Sequence, residues 1–485
     1  MNRRLIVICA VMFFVALAVP AFAAVQNVKV SGDITASVVD RVDLNLGLPM
    51  NGTGAAGGKD DSRVIMSQVR LRVDADLTDN VSTTIRLINE RDWNDEDPTR
   101  TTNRSTNDKN VDIDLAYVTL KEMLYSPLTV MIGRQELHYG NDLIVGDSDT
   151  NRQDLSNTPD IQNRDLSLRK AFDAVRAVLN YDPLTIDLIY AKINDNTKIS
   201  AGVTREKDDT NLYGAYAKYK MGDKYNSIVE GYFWQKRDDR RAINQHENAS
   251  VINVPGFRIV TNPIKGLNLQ AEQAWQFGNL PGGQIGAGAN VNYDRDAMMS
   301  FASVNYALQV ERIMKYAPVI GAWFVRYSGD KNPGDSNPLS AAKKRYTAWD
   351  PMFENANTGT IYNVLFDTTN ARIVNGNLSI KPIEDVTAKV DYAALWLDKK
   401  WPRQAGASTL TIFQTGGGTI TQTMNDGKSF LGQEVDGTLT YDYTEDVQFT
   451  LLGSVYLPGK AIGTNSASDN TKNPKQIIGS CKVTF

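Results

Sequence analysis

Two periodicities run together through this chain, and between them they leave few folds open. From Val28 onward apolar and polar residues alternate with the period of a β-strand whose two faces meet different surroundings. In Asp446 to Leu457, Val447, Phe449, Leu451, Val455 and Leu457 share one parity, while Gln448, Thr450 and Ser454 take the other. About 18 such segments can be marked off between Asn27 and Phe485. The second periodicity lies in the connections. Tight pieces rich in turn formers, such as Thr78-Asp79-Asn80, Tyr125-Ser126-Pro127, Tyr181-Asp182-Pro183 and Tyr443-Thr444-Glu445, alternate with long polar stretches. Those stretches include Leu44 to Ser62, Asp92 to Asn110, Glu136 to Lys170, Gly329 to Asn370 and Asp398 to Lys428. A sandwich or propeller gives no reason for this alternation, whereas a barrel crossing a membrane does, because one rim carries short turns and the other long loops. The predicted fold is all-β: a transmembrane antiparallel barrel of about 18 strands, with periplasmic turns, extracellular loops and both ends of the wall on the periplasmic side.

Export agrees with that fold. Arg3 and Arg4 precede an apolar run from Leu5 to Val19, and Ala21-Phe22-Ala23 has the small-residue pattern of a cleavage site. We therefore expect a signal peptide over residues 1–23 and a single barrel domain over 24–485. No later apolar stretch has the length of a transmembrane helix. Loss of Arg3 and Arg4 takes the formal charge from -4 to about -6, which argues against a nucleic-acid partner. Cys9 lies in the leader, so Cys481 has no intramolecular disulfide partner. The expected surroundings are outer-membrane lipid in a Gram-negative-type bacterium, with aromatic residues such as Tyr213, Phe233, Trp275, Trp323, Tyr327 and Trp396 in interfacial girdles.

The last segment places Ile477, Gly479, Cys481, Val483 and Phe485 on one parity. This ending is similar to the terminal strand through which outer-membrane barrels meet their assembly machinery. Three further stretches resemble the alginate-export porin family. They are Gly133-Arg134-Gln135-Glu136-Leu137 with Tyr139-Gly140-Asn141, then Ala171-Phe172-Asp173-Ala174-Val175-Arg176, and Tyr327-Ser328-Gly329-Asp330 with Trp349-Asp350-Pro351-Met352-Phe353. The resemblance implies an 18-stranded outer-membrane barrel passing hydrophilic solutes. It also implies, in the family's namesake, an arginine-rich pore suited to a polyuronate.

The charges read differently. If the more polar parity of each strand faces the lumen, Arg70, Arg72, Arg86, Arg176 and Arg326 line it together with carboxylates that include Glu434 and Asp436. The balance is near neutral, and a polyanion in a narrow lumen favours excess positive potential, so the balance argues against alginate as the permeant. Arg70, Arg72 and Arg86 fall on adjacent strands, which suggests an arginine sector facing an acidic sector at Glu434 and Asp436.

Other motifs have plainer readings. His138, with Asp142 and Ser148 nearby, invites comparison with a hydrolase triad, but closeness in sequence does not supply the geometry of a nucleophile and its base. A loop histidine near the barrel mouth accounts for it. Asp330, Asp335 and Asp350 have the hard oxygen ligands of a calcium site, against which ordinary turn chemistry around Pro333-Gly334-Asp335 is the simpler account. His246 reads as solvated, and the glycines of Gly282 to Gly288 read as an outer loop, with no helix following to hold a nucleotide. The expected function is a porin-like, alginate-export-like channel for passive transport of hydrophilic solutes, anionic or saccharide ones among them, with no cofactor and no catalysis. The alternatives are an outer-membrane hydrolase using His138 and a surface adhesin presenting its loops.

Overall fold

The structure is a computed structural model describing residues 27–44, 46, 62–93, 111–148, 164–194, 209–239, 249–281, 292–331, 345–356, 358–400, 409–413, 419–423, 427–462 and 471–485. The expected leader, His246, the Gly282 to Gly288 stretch and Asp335 lie outside the described residues.

Eighteen strands form the wall. They are β1 (Asn27–Val42), β2 (Ser62–Thr78), β3 (Val81–Asp92), β4 (Asp112–Lys121), β5 (Leu128–Glu136) and β6 (Ala171–Asn180). Next come β7 (Leu184–Asn194), β8 (Thr210–Lys220), β9 (Ile228–Asp238), β10 (Ser250–Thr261), β11 (Leu267–Pro281) and β12 (Asn292–Ala307). The last six are β13 (Val319–Tyr327), β14 (Ala371–Ile383), β15 (Val386–Leu397), β16 (Phe430–Asp442), β17 (Val447–Pro458) and β18 (Lys475–Thr484). Each pairs antiparallel with the next, and β18 returns to β1 from Asp33↔Thr484 to Val42↔Lys475. Closure leaves no sheet edge, which the hydrocarbon of a bilayer requires because it offers backbone groups no partner.

At the closing seam Phe485 and Gly32 exchange both backbone hydrogen bonds, at 2.8 and 3.0 Å. A Cβ on Gly32 would stand 2.7 Å from the Phe485 ring and 2.5 Å from the Arg70 carbonyl, so the ring lies where only glycine leaves room. The connections 79–80, 122–127, 181–183, 221–227, 262–266, 308–318, 384–385 and 443–446 share one rim with Asn27 and Phe485. The strand ends that border the long connections form the other rim. The least regular short one is broken by a 3-10 turn at Met314–Tyr316.

Side chains sort by parity. Val30, Ile34, Leu71, Ile85, Leu188, Val390 and Leu451 stand exposed on the outside of the isolated chain, where lipid covers them in a membrane. The opposite parity holds polar residues and, in the middle of the wall, buried apolar ones such as Ile189, Leu212, Val254 and Met299. That apolar cluster has a cause the strands alone do not provide, since parts of two long loops fold inward and pack against it. Leu137, Tyr139, Leu143, Ile144 and Val145 belong to the same cluster as Trp349, Phe353, Ile361 and Leu365.

Three details depart from the sequence reading. A two-residue strand, Arg345–Tyr346, runs parallel to the start of β12. A separate hairpin, not part of the wall sheet, pairs Thr409–Phe413 with Thr419–Thr423. Of the expected girdle residues, Tyr213, Phe233 and Trp275 are exposed outside, but Trp323 pairs with lumen-facing Ser303 and Tyr327 is fully buried inside. Aromatic content alone cannot distinguish a girdle from a packed interior.

Candidate functional site

The lumen is narrowed by chain from its own outer rim, and specific wall residues hold that chain in place. The first inward segment, 137–148, inserts Tyr139 between Tyr216 of β8 and Trp234 of β9, with ring centroids 4.7 and 4.9 Å apart. Its hydroxyl donates to Asp187 of β7 at 3.0 Å, and Arg176 of β6 lies over its ring. Trp234 can lie flat there because position 214 is glycine, where a Cβ would come within 2.0 Å of the indole. Farther along, Asn141 accepts a hydrogen bond from Arg258 of β10 at 3.0 Å. Arg258 is itself bound to Glu230 at 2.6 Å.

The same long connection returns along the opposite wall. Arg41 of β1 holds Asp165 with two hydrogen bonds, 2.8 and 2.6 Å long. Gln68 donates to the Leu166 carbonyl, and Glu90 accepts from the Leu168 N–H and the Ser167 hydroxyl.

The second inward segment, 345–370, crosses from β9 to β16. Asp350 forms an ion pair with Lys236 at 3.0 Å, while its backbone exchanges two hydrogen bonds with the Gln276 side chain. Burial alone would raise the Asp350 carboxyl, but Lys236 and Arg295 outweigh it and hold the group at about 2. Phe353 then joins the first segment, accepting from Gly146 N–H at 2.7 Å and donating to the Ile144 carbonyl at 2.9 Å. At the far wall Glu434 accepts the N–H groups of Thr360, Ile361 and Tyr362 at 2.7, 3.1 and 2.7 Å. Thr360 also donates to Asp436 at 2.8 Å.

This arrangement separates the sequence-predicted residues. Arg70, Arg72 and Arg86 do form one patch, with Arg72 opposite Arg86 in the β2–β3 register. Each has a carboxylate: Asp33 for Arg70 at 2.8 Å, Asp74 for Arg72 at 2.7 Å, and Asp114 together with Glu136 for Arg86. Exposure sets them apart, since the Arg72 side chain is 37% exposed and its Asp74 partner 33%, against 17% for Arg70 and 9% for Arg86. Arg176 is tied to Asp187 beneath Tyr139.

Two expectations need correction. Glu434 and Asp436 point inward, but at 0% and 6% exposure they lie under residues 360–362 and do not line open pore. Arg326 is not in the lumen at all. It pairs across the sheet with Ser300 and Arg372 on the outward parity, where Ile320 and Phe324 are exposed. Its partner there is Asp398, at 2.7 Å.

Of the residues weighed for calcium, Asp350 pairs with Lys236 and Asp330 accepts from Thr347, contacts of the kind ordinary turn and ion-pair chemistry gives, while Asp335 lies outside the described residues. No group of three or more ligand-type side chains suited to a metal occurs among the described residues. His138 meets Asp142 at 2.9 Å, and that hydrogen bond raises the imidazole above its ordinary value. Ser148 is not a partner of His138 among the described residues, and the ring stands 46% exposed on the inward segment.

Sequence reasoning missed Arg41, Asp33 and Arg258. The signal for Arg258 was present: Phe257 and Ile259 alternate around it as lipid-facing residues do.

The chain's fold is similar to that of OpdK from Pseudomonas aeruginosa, solved with vanillate, at 9% identity and a TM-score of 0.52, over 95% of this chain and 100% of that one. OccK11 (OpdR) of the same organism matches at 11% identity and 0.51, over 95% and 97%. OccK2 (OpdF), solved in complex with glucuronate, matches at 11% and 0.50, over 95% and 99%. No curated protein matches the sequence. The family model described as alginate export matches residues 51–474. That match spans most of a wall closed as eighteen antiparallel strands, and the chain therefore belongs to the alginate-export family of outer-membrane β-barrel channels.

Proposed function

We propose that small hydrophilic solutes bearing carboxylate or saccharide groups cross this channel passively along the β1–β3 sector, where Arg72 and then Arg70 contact their anionic groups. One observation carries the reading: within the patch, Arg72 keeps the most exposed guanidinium, while Arg86 is covered and the acidic residues of β16 are capped by the inward loop. The solute therefore meets an arginine sector without an equally exposed acidic wall opposite. Because each arginine has a carboxylate partner, the long-range field stays weak and recognition is short-range. That suits a small solute better than a polyanion. Glucuronate and vanillate, held by OccK2 and OpdK in their solved structures, are carboxylates of this size. No catalysis enters this reading. Residues 1–23 act as the export signal, and the terminal strand ending at Phe485 presents the chain to the barrel assembly machinery.

Planar-bilayer reversal potentials in asymmetric salt test the proposal. Replacing Arg70, Arg72 and Arg86 together by Gln should lower the anion-to-cation permeability ratio, most clearly at low salt where screening is weak. Arg72→Gln alone should produce most of that change and Arg86→Gln little. An unchanged reversal potential in the triple variant, with the barrel intact by heat-shift electrophoresis, would overturn the assignment.

A further inference from the structure

On the outer surface of the wall, one cross-strand row near the outer rim reads Ser300, Arg326, Arg372, Trp396, Phe430 from β12 to β16. The Trp396 and Phe430 rings lie 5.6 Å apart, an interfacial aromatic pair. They set the height of the row at the level of lipid headgroups, where the energetic penalty for an outward charge is smallest. The two arginines share a single carboxylate. Asp398 Oδ1 accepts from Arg326 Nε at 2.7 Å and Arg372 Nε at 2.8 Å, while Oδ2 accepts from Arg326 Nη2 and the Gly329 N–H. That carboxylate is fully buried, so its own geometry is complete.

Other described outward cations near this rim have carboxylate partners of their own. Arg63 pairs with Asp40, Arg237 with Asp239, and the row through Arg134, Asp173 and Lys192 ends on Asp209. Among the described outward pairs, the Arg326–Arg372 row is the one in which two guanidiniums meet one carboxylate. Donors also remain for a ligand, since Arg326 Nη1 meets only the weakly accepting Met298 sulfur at 3.3 Å, and Arg372, whose Nη2 donates to the Asp398 carbonyl at 3.1 Å, keeps a side chain 47% exposed. Two neighbouring guanidiniums, each planar and each with a donor to spare, match the oxygens of a phosphate monoester.

We propose that this row binds a phosphate of the lipid A headgroup of lipopolysaccharide in the outer leaflet, fixing a lipid against β13 and β14. The site is separate from the lumen and independent of what the channel carries.

The test uses the full folded chain in detergent and lipid A in three forms: diphosphoryl, monophosphoryl and dephosphorylated. Retained lipid is counted by native mass spectrometry. Diphosphoryl lipid A should remain bound to the parent, and Arg326→Gln with Arg372→Gln should weaken retention by about tenfold or more. Arg63→Gln with Arg237→Gln, which alters balanced pairs at the same rim, should leave it unchanged. If the double variant fails to fold, Arg372→Gln alone carries the test, because its side chain is the more exposed of the two. Equal retention by the row variant and the parent would overturn the proposal. So would equal retention of the dephosphorylated lipid, or displacement of lipid A by millimolar inorganic phosphate, which would indicate a site for the free anion.

Discussion

Replacing Glu434 by Ala should undock the second inward segment while leaving the wall closed. β16 keeps its place through backbone hydrogen bonds to β15 and β17, none of which uses the Glu434 side chain. The segment depends on it heavily: three consecutive N–H groups converge on one carboxylate with 0% exposure. Each orphaned buried N–H costs about 1–3 kcal/mol. Residues 360–362 can turn toward a hydrated lumen, so the lower end of that range applies, and the loss in docking is about 3–4 kcal/mol. That corresponds to a shift of about 10²–10³ in the ratio of docked to undocked segment. Single-channel recording in planar bilayers is the assay. Glu434→Ala should increase mean conductance and open-channel noise at unchanged heat-modifiable mobility. Glu434→Gln, which keeps one acceptor oxygen, should fall between variant and parent. If the Ala variant conducts with the parent's amplitude and noise, the segment is not held by this carboxylate and the reasoning fails.

Two other outcomes follow from the lumen. Because the hydrogen bond to Asp142 raises the His138 imidazole above its ordinary value, the ring gains its charge as pH falls through that raised value, adding a positive group to the inward segment. The pair's stabilising contribution is fully present below the ordinary histidine value and is lost as pH rises through the raised one. Reversal potentials should therefore shift toward anions over that window on acidification, and His138→Gln should remove the step; a step that survives the substitution would assign it to another group. In the packed wall, Gly214→Val forces Trp234 out of contact with Tyr139 and should lower stability by about 3 kcal/mol, read as an earlier heat-shift transition. Gly231→Val, where nothing lies within 4 Å of the added Cβ, serves as its neutral control.

Alternating residues and alternating connection lengths were enough to establish the barrel, because both are imposed locally. A strand between lipid and lumen must change partner at every residue, and turns on a closed wall must be short on one rim. The same locality explains where the reading of sites stopped. Polarity reports which parity faces lipid only in the middle of the membrane. Near the rim the outside is wet, so Arg326 looks like a lumen residue in sequence and stands on the outer surface in the fold. In the lumen, Glu434 and Asp436 are visible as acidic residues of inward parity, yet whether they face solute depends on a segment more than seventy residues earlier in the chain. Tyr139, Trp349 and Phe353 lie in stretches that read as polar loops, and nothing in their local pattern marks the turn inward.

The sequence by itself determined the wall, its closure and the inward parity of Arg70, Arg72 and Arg86, since each follows from a period of two and a membrane of given thickness. Only the tertiary structure decided which of those charges stay exposed in the lumen. Exposure depends on ion pairs between distant parts of the chain, such as Arg41 with Asp165 and Lys236 with Asp350, that form once the wall has brought them together.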